Sequence, residues 1–504
     1  MSEVALGVNL GHDRSACLAV DGQPRVAIAE ERLSRLKHDI PLNERKERYN
    51  SFPHRAVDYC LDACRLNHSD IDLVVASTTY VLDIVTGRRR NLRPADIGWQ
   101  CPQLSDTRVE VVLHHLSHAA SVAPCSGFSS AAVIAVDGGG SILRHEGQVP
   151  ADFERTTLFH YDRQLVPLVR VVGGPPAFGN SIGDFYQVIT TYLGFRSGQE
   201  GKTMGLAGYS DMAGGTRSTR TSWAPLDEFK DAIIVKPDGW HSVSEIFQFT
   251  VEGGFHPGLI EAFGPPRTTA TPDEPLDRHI AASGQWALEE AMLRLAHAAH
   301  RLTGEHRLCL AGGVALNCVA NGRILREGPF EELFIQPAAG DDGTALGNAL
   351  LGVSILAGRF PDWTFRSPYL GRTYSDEEIA RRLLQLSGHV TVGFPEDVPD
   401  AIAEDIATGR IVAVFRGGCE YGPRALGHRS ILCDPRLPWM KSHLNARVKH
   451  RESFRPFAPM VLEERLAQHF ALETASPYML PAADVRRPEV VPAITDEIMK
   501  ARRG

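Results

Sequence analysis

"SAAVIAVDGGGS", residues 130–141, joins an apolar run of Ala, Val and Ile directly to an aspartate and three glycines. Short apolar runs rich in β-branched residues and closed by glycine read as buried strands that stop in a tight turn. The device returns at "RLCLAGGVALN" (307–317) and at "ELFIQPAAGDDG" (332–343). Helical stretches stand among these strands, notably "SIGDFYQVITTYLGF" (181–195) and "GQWALEEAMLRLAHAAHRLTG" (284–304). Strands alternating with amphipathic helices predict an α/β layer fold.

Working outward, "VALGVNLGHDRSACLAVDGQPRVAIAEE" (4–31) reads as three strands joined by tight turns. "FPHRAVDYCLDACRL" (52–66) has a helical apolar face, "IDLVVAST" (71–78) is a buried strand, and "HAASVAPCSG" (118–127) a short helix. A second lobe is expected from about residue 165, with "EGKTMGLAGYS" (200–210) as a glycine-rich turn. Glycine turns after apolar strands at 138–140, 312–313 and 343 hint at a duplicated fold, although no sequence repeat accompanies them. "RFPDWTFRSPYLGRTYS" (359–375) has no period and reads as a linker. The expected organisation is therefore a domain over 1–358, a linker, and a smaller domain over 376–504.

Composition narrows the class. A chain of 504 residues exceeds one compact core, and a net charge of −8 leaves no broad cationic footprint for nucleic acid. No apolar run approaches the roughly 20 residues of a membrane helix, and the first residues lack a signal-peptide pattern. The nine cysteines are scattered, without C-x-x-C spacing, which predicts a reduced, cytoplasmic protein with neither nucleic-acid nor membrane partners.

Chemistry concentrates at three places. In "EVVLHHLSHAASV" (110–122), His114 and His118 stand four apart, so one helical face can bring both imidazoles to a point. The zinc-hydrolase motif needs Glu after the first histidine; His115 stands there instead, so that general base is missing. Asp137 and Asp341 each end an apolar strand at a glycine turn, and the four together make a plausible site for Fe(II), Mn(II) or Zn(II). The turns at Gly138, Gly139 and Gly140 and at Gly312 and Gly313 suit phosphate, because a missing Cβ lets backbone N–H groups approach an anion. Finally, Arg424, Arg429, Lys449, Arg451 and Arg455 lie among glycine, proline and phenylalanine in "EYGPRALGHRS" and "VKHRESFRPFAP". Cations in broken loops, without acids at helical spacing, point to a pocket for a phosphorylated substrate and a nucleotide.

"GHDRSACLAVDG", "EERLSRLKHD", "HHLSHAAS", "VDGGG", "QEGKTMGLAGY", "AGGVALNCVANG", "QPAAGDDGTALG", "EYGPRALGHRSILCDPR" and "VKHRESFRPFAP" occur in this order along the chain. Together they resemble the ATP-dependent O-carbamoyltransferases, the family of nodulation-factor, tobramycin and cephamycin carbamoyltransferases. The resemblance implies a two-lobed sugar-kinase/Hsp70/actin-like N-terminal domain and a smaller YrdC-like α+β C-terminal domain. It implies a divalent metal, iron above manganese or zinc, held by His114, His118, Asp137 and Asp341. His12, Lys37, Arg424, Lys449 and Arg451 are then catalytic. Glu200, Gly201, Lys202, Asn317, Arg416, Arg429 and Arg455 join the glycine turns in binding substrate and nucleotide. Carbamoyl phosphate and ATP (with Mg) would give carbamoyl-AMP in the C-terminal domain. The N-terminal domain would pass the carbamoyl group to a hydroxyl of a small acceptor such as an antibiotic precursor.

Family members continue past "PAIT" (492–495) with "DGTAR"-like and "NTSFN"-like segments that are not found here. That difference predicts weak adenylate formation with transfer retained. A plain kinase of the same superfamily would explain the glycine turns but not the histidine pair or the C-terminal arginines. A tRNA threonylcarbamoyl transferase would share the metal site but not the fused domain or the acidic balance. A non-catalytic nucleotide-binding homologue is the third alternative.

Overall fold

A computed structural model describes residues 2–39, 51–79, 81–82, 89–143, 152–174, 179–210, 224–250, 252–268, 274–386 and 388–486. The "PAIT" segment lies outside them. The chain divides into two compact units, Met1–Arg366 with Met479–Ala482, and Ser367–Tyr478 with Ala483–Gly504. Four residues far along the chain thus belong to the first unit. There Asn321 Nδ2 donates to the Leu480 carbonyl and Ala482 N to that of Cys318.

Among the described residues, the two largest sheets of the first unit share one topology. In the first, β1 (Val4–Asn9), β2 (Ser15–Val20) and β3 (Gln23–Ala29) form an antiparallel meander. Helix α1 (His54–Cys64) then leads to β4 (Leu73–Ser77), which pairs parallel with β1, and β5 (Arg108–Val111) pairs parallel with β4. The order is β3-β2-β1-β4-β5. In the second, β6 (Ser130–Val136), β7 (Asp152–Asp162) and β8 (Leu165–Gly173) form the meander, and β9 (Arg307–Ala311) and β10 (Glu332–Phe334) follow in parallel. Its order is β8-β7-β6-β9-β10. The duplication hinted at by the glycine turns is therefore real at the level of topology, and the two-lobed α/β fold of the sugar-kinase/Hsp70/actin kind is present.

Several expected boundaries move. The second lobe starts at β6, some way before residue 165, because "SAAVIAV" carries no mark of which sheet it joins. The helix expected over 118–127 is α2 (His114–Ala120), and it already contains both histidines. "EGKTMGLAGYS" is not a turn: Glu200–Ala207 is a helix whose Thr203, Leu206 and Ala207 are buried, so helical burial overrides its glycines. The long helix runs Pro275–Thr303 and closes at Gly304 in the left-handed region.

The chain ends its second lobe by returning to the first. The helix Thr344–Ala357 is built of small and apolar residues, buried from Thr344 through Val353. A Cβ at Gly7 would run into the Ala345 carbonyl, and one at Gly347 into the Ser117 carbonyl, so this helix lies directly against β1 and α2. Asn348 is fully buried but satisfied: Nδ2 donates to Val8 O at 2.8 Å and Ser77 Oγ at 2.9 Å, and Oδ1 accepts from Ser117 Oγ at 2.6 Å. One amide thus fixes β1, β4 and α2 to one another.

In the second unit the helix Asp376–Leu384 starts at a capping box, with Ser375 Oγ accepting from Glu378 N and the Glu378 carboxylate accepting from Ser375 N. Val412–Phe415 and Arg429–Leu432 form an antiparallel pair over a small core of Leu437, Met440 and Leu444. Among the described residues no helix is long and apolar enough to cross a membrane.

Candidate functional site

Two turns that follow strands of the second sheet come together under the helix that follows the first sheet. Asp137 follows β6, Asp341 follows β10, and α2 lies across both with His114 and His118. His114 Nε2 and His118 Nε2 face each other at 3.0 Å. Asp341 Oδ1 is 3.2 Å from His114 Nε2 and 3.5 Å from that of His118; Asp137 Oδ2 is 3.2 Å from His118 Nε2 and 3.5 Å from that of His114. All four residues are buried. Metal–ligand bonds of about 2.0–2.2 Å place neighbouring ligand atoms at right angles about 3 Å apart, the spacing of this set. Two imidazoles and two carboxylates facing inward without a cation need protons to avoid repulsion in a dry pocket. Burial opposes charging His114, yet Asp341 and Asp137 push its pKa up to about 10. Burial likewise works against ionised Asp341, but His12 and His114 pull it well below the usual carboxylate range. His114 Nδ1 and His118 Nδ1 have no hydrogen-bond partner among the described residues. The donor set fits a divalent transition metal.

Asp137 also joins the two glycine turns. Its Oδ1 accepts from Gly138 N at 2.7 Å and Gly313 N at 3.3 Å, leaving Oδ2 for the histidines. Gly140 N donates to Glu154 O and Gly312 N to Ala339 O. Most turn amides expected to cradle phosphate are therefore engaged within the protein. Asn317 is buried and caps the helix Cys318–Glu327 through Ala320 N, while exchanging bonds with Gln285. Its amide has a structural task. Glu200, Gly201 and Lys202 lie in the first turn of their helix, with Lys202 Nζ 5.4 Å from the Phe195 ring centroid.

His12 leads outward from the metal set. Its Nδ1 is 3.2 Å from Asp341 Oδ2, its side chain is 46% exposed, and Asp341, against the effect of burial, raises its pKa to about 9. Lys37 is exposed in the short turn Lys37–Asp39. The sequence reading missed Asp13 and His38 beside these two. His38 Nδ1 lies 2.7 Å from Asp13 Oδ1, and His38 N donates to Glu31 Oε2. The 2.7 Å separation is a hydrogen bond, shorter than the spacing of ligands round an ion, so His38 and Asp13 read as a hydrogen-bonded dyad.

Within the second unit the cationic residues separate into two kinds. Arg429 donates to the carbonyls of Arg416, Gly417 and His428, and its guanidinium lies 3.6 Å from the Phe415 ring centroid. Arg451 donates to Asn445 Oδ1 and Pro456 O and lies over Phe457. Both hold loops. Arg416 and Lys449 are exposed, and Arg424 and Arg455 half-buried, with no ion pair to any of the four among the described residues. Glu420, also missed, fastens the "GPRALG" loop: its Oε1 accepts from Leu426, His428 and Arg429 N at 2.8–3.0 Å.

Residues 80–350 match the family model described as carbamoyltransferase N-terminus, and residues 403–503 match carbamoyltransferase C-terminus. The uncharacterized protein sll1178 of Synechocystis sp. is 35% identical over 94% of this chain and 78% of its own length. Nodulation protein NolNO of Sinorhizobium fredii is 32% identical over 92% of this chain, and NolO of Bradyrhizobium diazoefficiens 34% identical over 71%. The chain spans 64% and 60% of the length of those two nodulation proteins.

Proposed function

This chain belongs to the carbamoyltransferase family, and on that premise we propose that it is an ATP- and carbamoyl-phosphate-dependent O-carbamoyltransferase. In this reading water splits carbamoyl phosphate to carbamate and orthophosphate, the carbamate oxygen displaces pyrophosphate from ATP to give carbamoyl-AMP, and a hydroxyl of a small acceptor, such as an antibiotic precursor, receives the carbamoyl group as AMP departs. The observation that carries it is the four-residue centre of His114, His118, Asp137 and Asp341, where the histidine helix that follows β5 of the first sheet meets the turns after β6 and β10 of the second. A bound divalent ion, Fe(II) above Mn(II) or Zn(II), supplies positive charge that orients and offsets a phosphate group. Asp137 keeps that set in register with both glycine turns through Gly138 N and Gly313 N. His12 stands at the half-exposed mouth, held against Asp341. There it can offer an N–H to negative charge developing on the carbamoyl oxygen as the acceptor oxygen bonds to carbon and AMP departs. Lys37, close in sequence to His38, adds a cation near the Asp13 dyad. Arg424, Lys449 and Arg455 are the better-placed phosphate ligands of the second unit, whereas Arg429 and Arg451 shape the loops that present them.

Free cysteines agree with a reducing, cytoplasmic setting. The test is mass spectrometry of products from carbamoyl phosphate, ATP–Mg and a panel of hydroxylated natural-product precursors, alongside pyrophosphate release. A carbamate ester 43 mass units above an acceptor (roughly, one H replaced by CONH₂, the acyl-transfer product of a nucleophile and activated carbonyl) supports it. Pyrophosphate release indifferent to carbamoyl phosphate contradicts it.

A further inference from the structure

Helix α2 carries both histidines yet has no cap of its own. Leu113 occupies its N-cap position and makes no side-chain cap bond. The first-turn N–H groups of a helix need acceptors, above all in a dry core. Here they come from elsewhere in the chain: Ser141 Oγ accepts from His114 N at 2.9 Å and Glu154 Oε2 from His115 N at 3.3 Å. The same Glu154 Oε2 accepts from Ser141 N at 3.1 Å. The backbone of Glu154 is also paired with the turn, Gly140 N donating to Glu154 O at 2.7 Å and Glu154 N to Ser141 O at 3.1 Å. A Cβ at Gly140 would stand 2.7 Å from Glu154 Cβ and 2.8 Å from His115 Cδ2, so the turn is pressed onto both.

Glu154 is fully buried at the start of β7, with Arg170 Nε 3.3 Å from its Oε1. Burying a carboxylate is expensive, and burial raises its pKa. A group so placed is best understood by what it joins: the helix bearing His114 and His118, and the turn that begins at Asp137. We propose that Glu154, with Ser141, is a positioning residue of the metal centre, a tertiary cap that fixes the histidine helix to the Asp137 turn. Among the described residues the Glu154 side chain makes no hydrogen bond to the four ligands, and the pair acts through the backbones that carry them. His115, between the ligands, serves the same bracket, with Nδ1 on Thr157 Oγ1 at 2.8 Å.

The inference rests on the metal reading above, and its test separates the two. Full-length protein, freed of metal, is titrated with Co(II), whose d–d absorption reports its ligand field. Glu154→Met roughly keeps the length of the side chain but removes Oε2, the one oxygen that accepts from both His115 N and Ser141 N. Expected is roughly 10-fold weaker Co(II) binding with a shifted d–d band, the lower end of the range for residues that orient ligands. A variant that melts earlier but binds Co(II) with the wild-type affinity and spectrum overturns the proposal. Should Glu154→Met not fold, Ser141→Ala, which removes the acceptor of His114 N–H, carries the same expectation and the same refutation. If wild type takes up no Co(II), the metal reading falls and this inference with it; if wild type binds and the variants match it, only the inference falls.

Discussion

Replacing Asp137 by Asn is the sharpest single perturbation of the centre, because the two oxygens of Asp137 do different work. Oδ1 accepts from Gly138 N and Gly313 N, while Oδ2 stands 3.2 and 3.5 Å from the two histidine Nε2 atoms. Asn can keep Oδ1 on the turns, and its NH₂ then points where a ligand lone pair is needed. Four-ligand metal sites bind with about 10–16 kcal/mol, so one ligand is worth about 3–4 kcal/mol, or at least ~10²-fold in Kd. At a metal concentration of about 100 Kd, wild type gains roughly 2.7 kcal/mol of stability; after a ~10²-fold loss the gain shrinks to about 0.4 kcal/mol. The metal-free variant should stay within about 1 kcal/mol of wild type, since the turn bonds survive and a buried charge is gone. Thermal melts with and without metal measure both quantities. A metal-induced shift in Asp137→Asn equal to that of wild type refutes the site, and an equal loss of stability in the metal-free state refutes the division of labour between the oxygens.

Three further outcomes follow from the geometry. Gly7→Ala drives a methyl into the Ala345 carbonyl, so the first unit should lose more than about 3 kcal/mol by denaturant titration, beyond the usual range for overpacking because backbone must move. His241 is buried, and desolvation lowers its pKa from 6.5 to about 4. Its stabilising contribution is therefore full above pH 6.5 and falls as pH drops toward 4, by roughly 3 kcal/mol in all, and His241→Gln should flatten that part of a stability–pH curve. In the second unit, Arg429→Ala should lower the melting temperature through lost carbonyl bonds. Arg424→Ala should leave the melt unchanged and abolish carbamoyl-phosphate-dependent pyrophosphate release; the reverse pattern would exchange their roles.

What could be read in the sequence was governed by how local the cause is. The i, i+4 spacing of His114 and His118 and the strand-ending aspartates are local patterns, and the structure brings all four residues to one point. The meander of β1 to β3 was legible for the same reason, because alternating runs and tight turns act between neighbours. The partner sheet of "SAAVIAV" was not, since strand pairing at long range leaves no local mark. "EGKTMGLAGYS" misled because three glycines suggest a turn, while burial of Thr203, Leu206 and Ala207 decides for helix over Glu200–Ala207. Glu154 escaped because a charged residue within a strand ordinarily faces water, and the polar residues around it in "DFERTTLFHYD" give no sign that the strand is buried from Phe153 through Phe159. Residue type likewise says nothing of prior engagement: Asn317 and Arg429 look free in sequence and are tied to the protein in space.

The most direct measurement is pyrophosphate release by the purified chain with ATP–Mg, with and without carbamoyl phosphate, paired with metal content for wild type, His118→Ala and His115→Ala. The account predicts release that requires carbamoyl phosphate, near-stoichiometric metal in wild type, and metal lost in His118→Ala but largely kept in His115→Ala, whose ring lies on Thr157 and away from the centre. Release that ignores carbamoyl phosphate, or metal retained in full by His118→Ala, contradicts it.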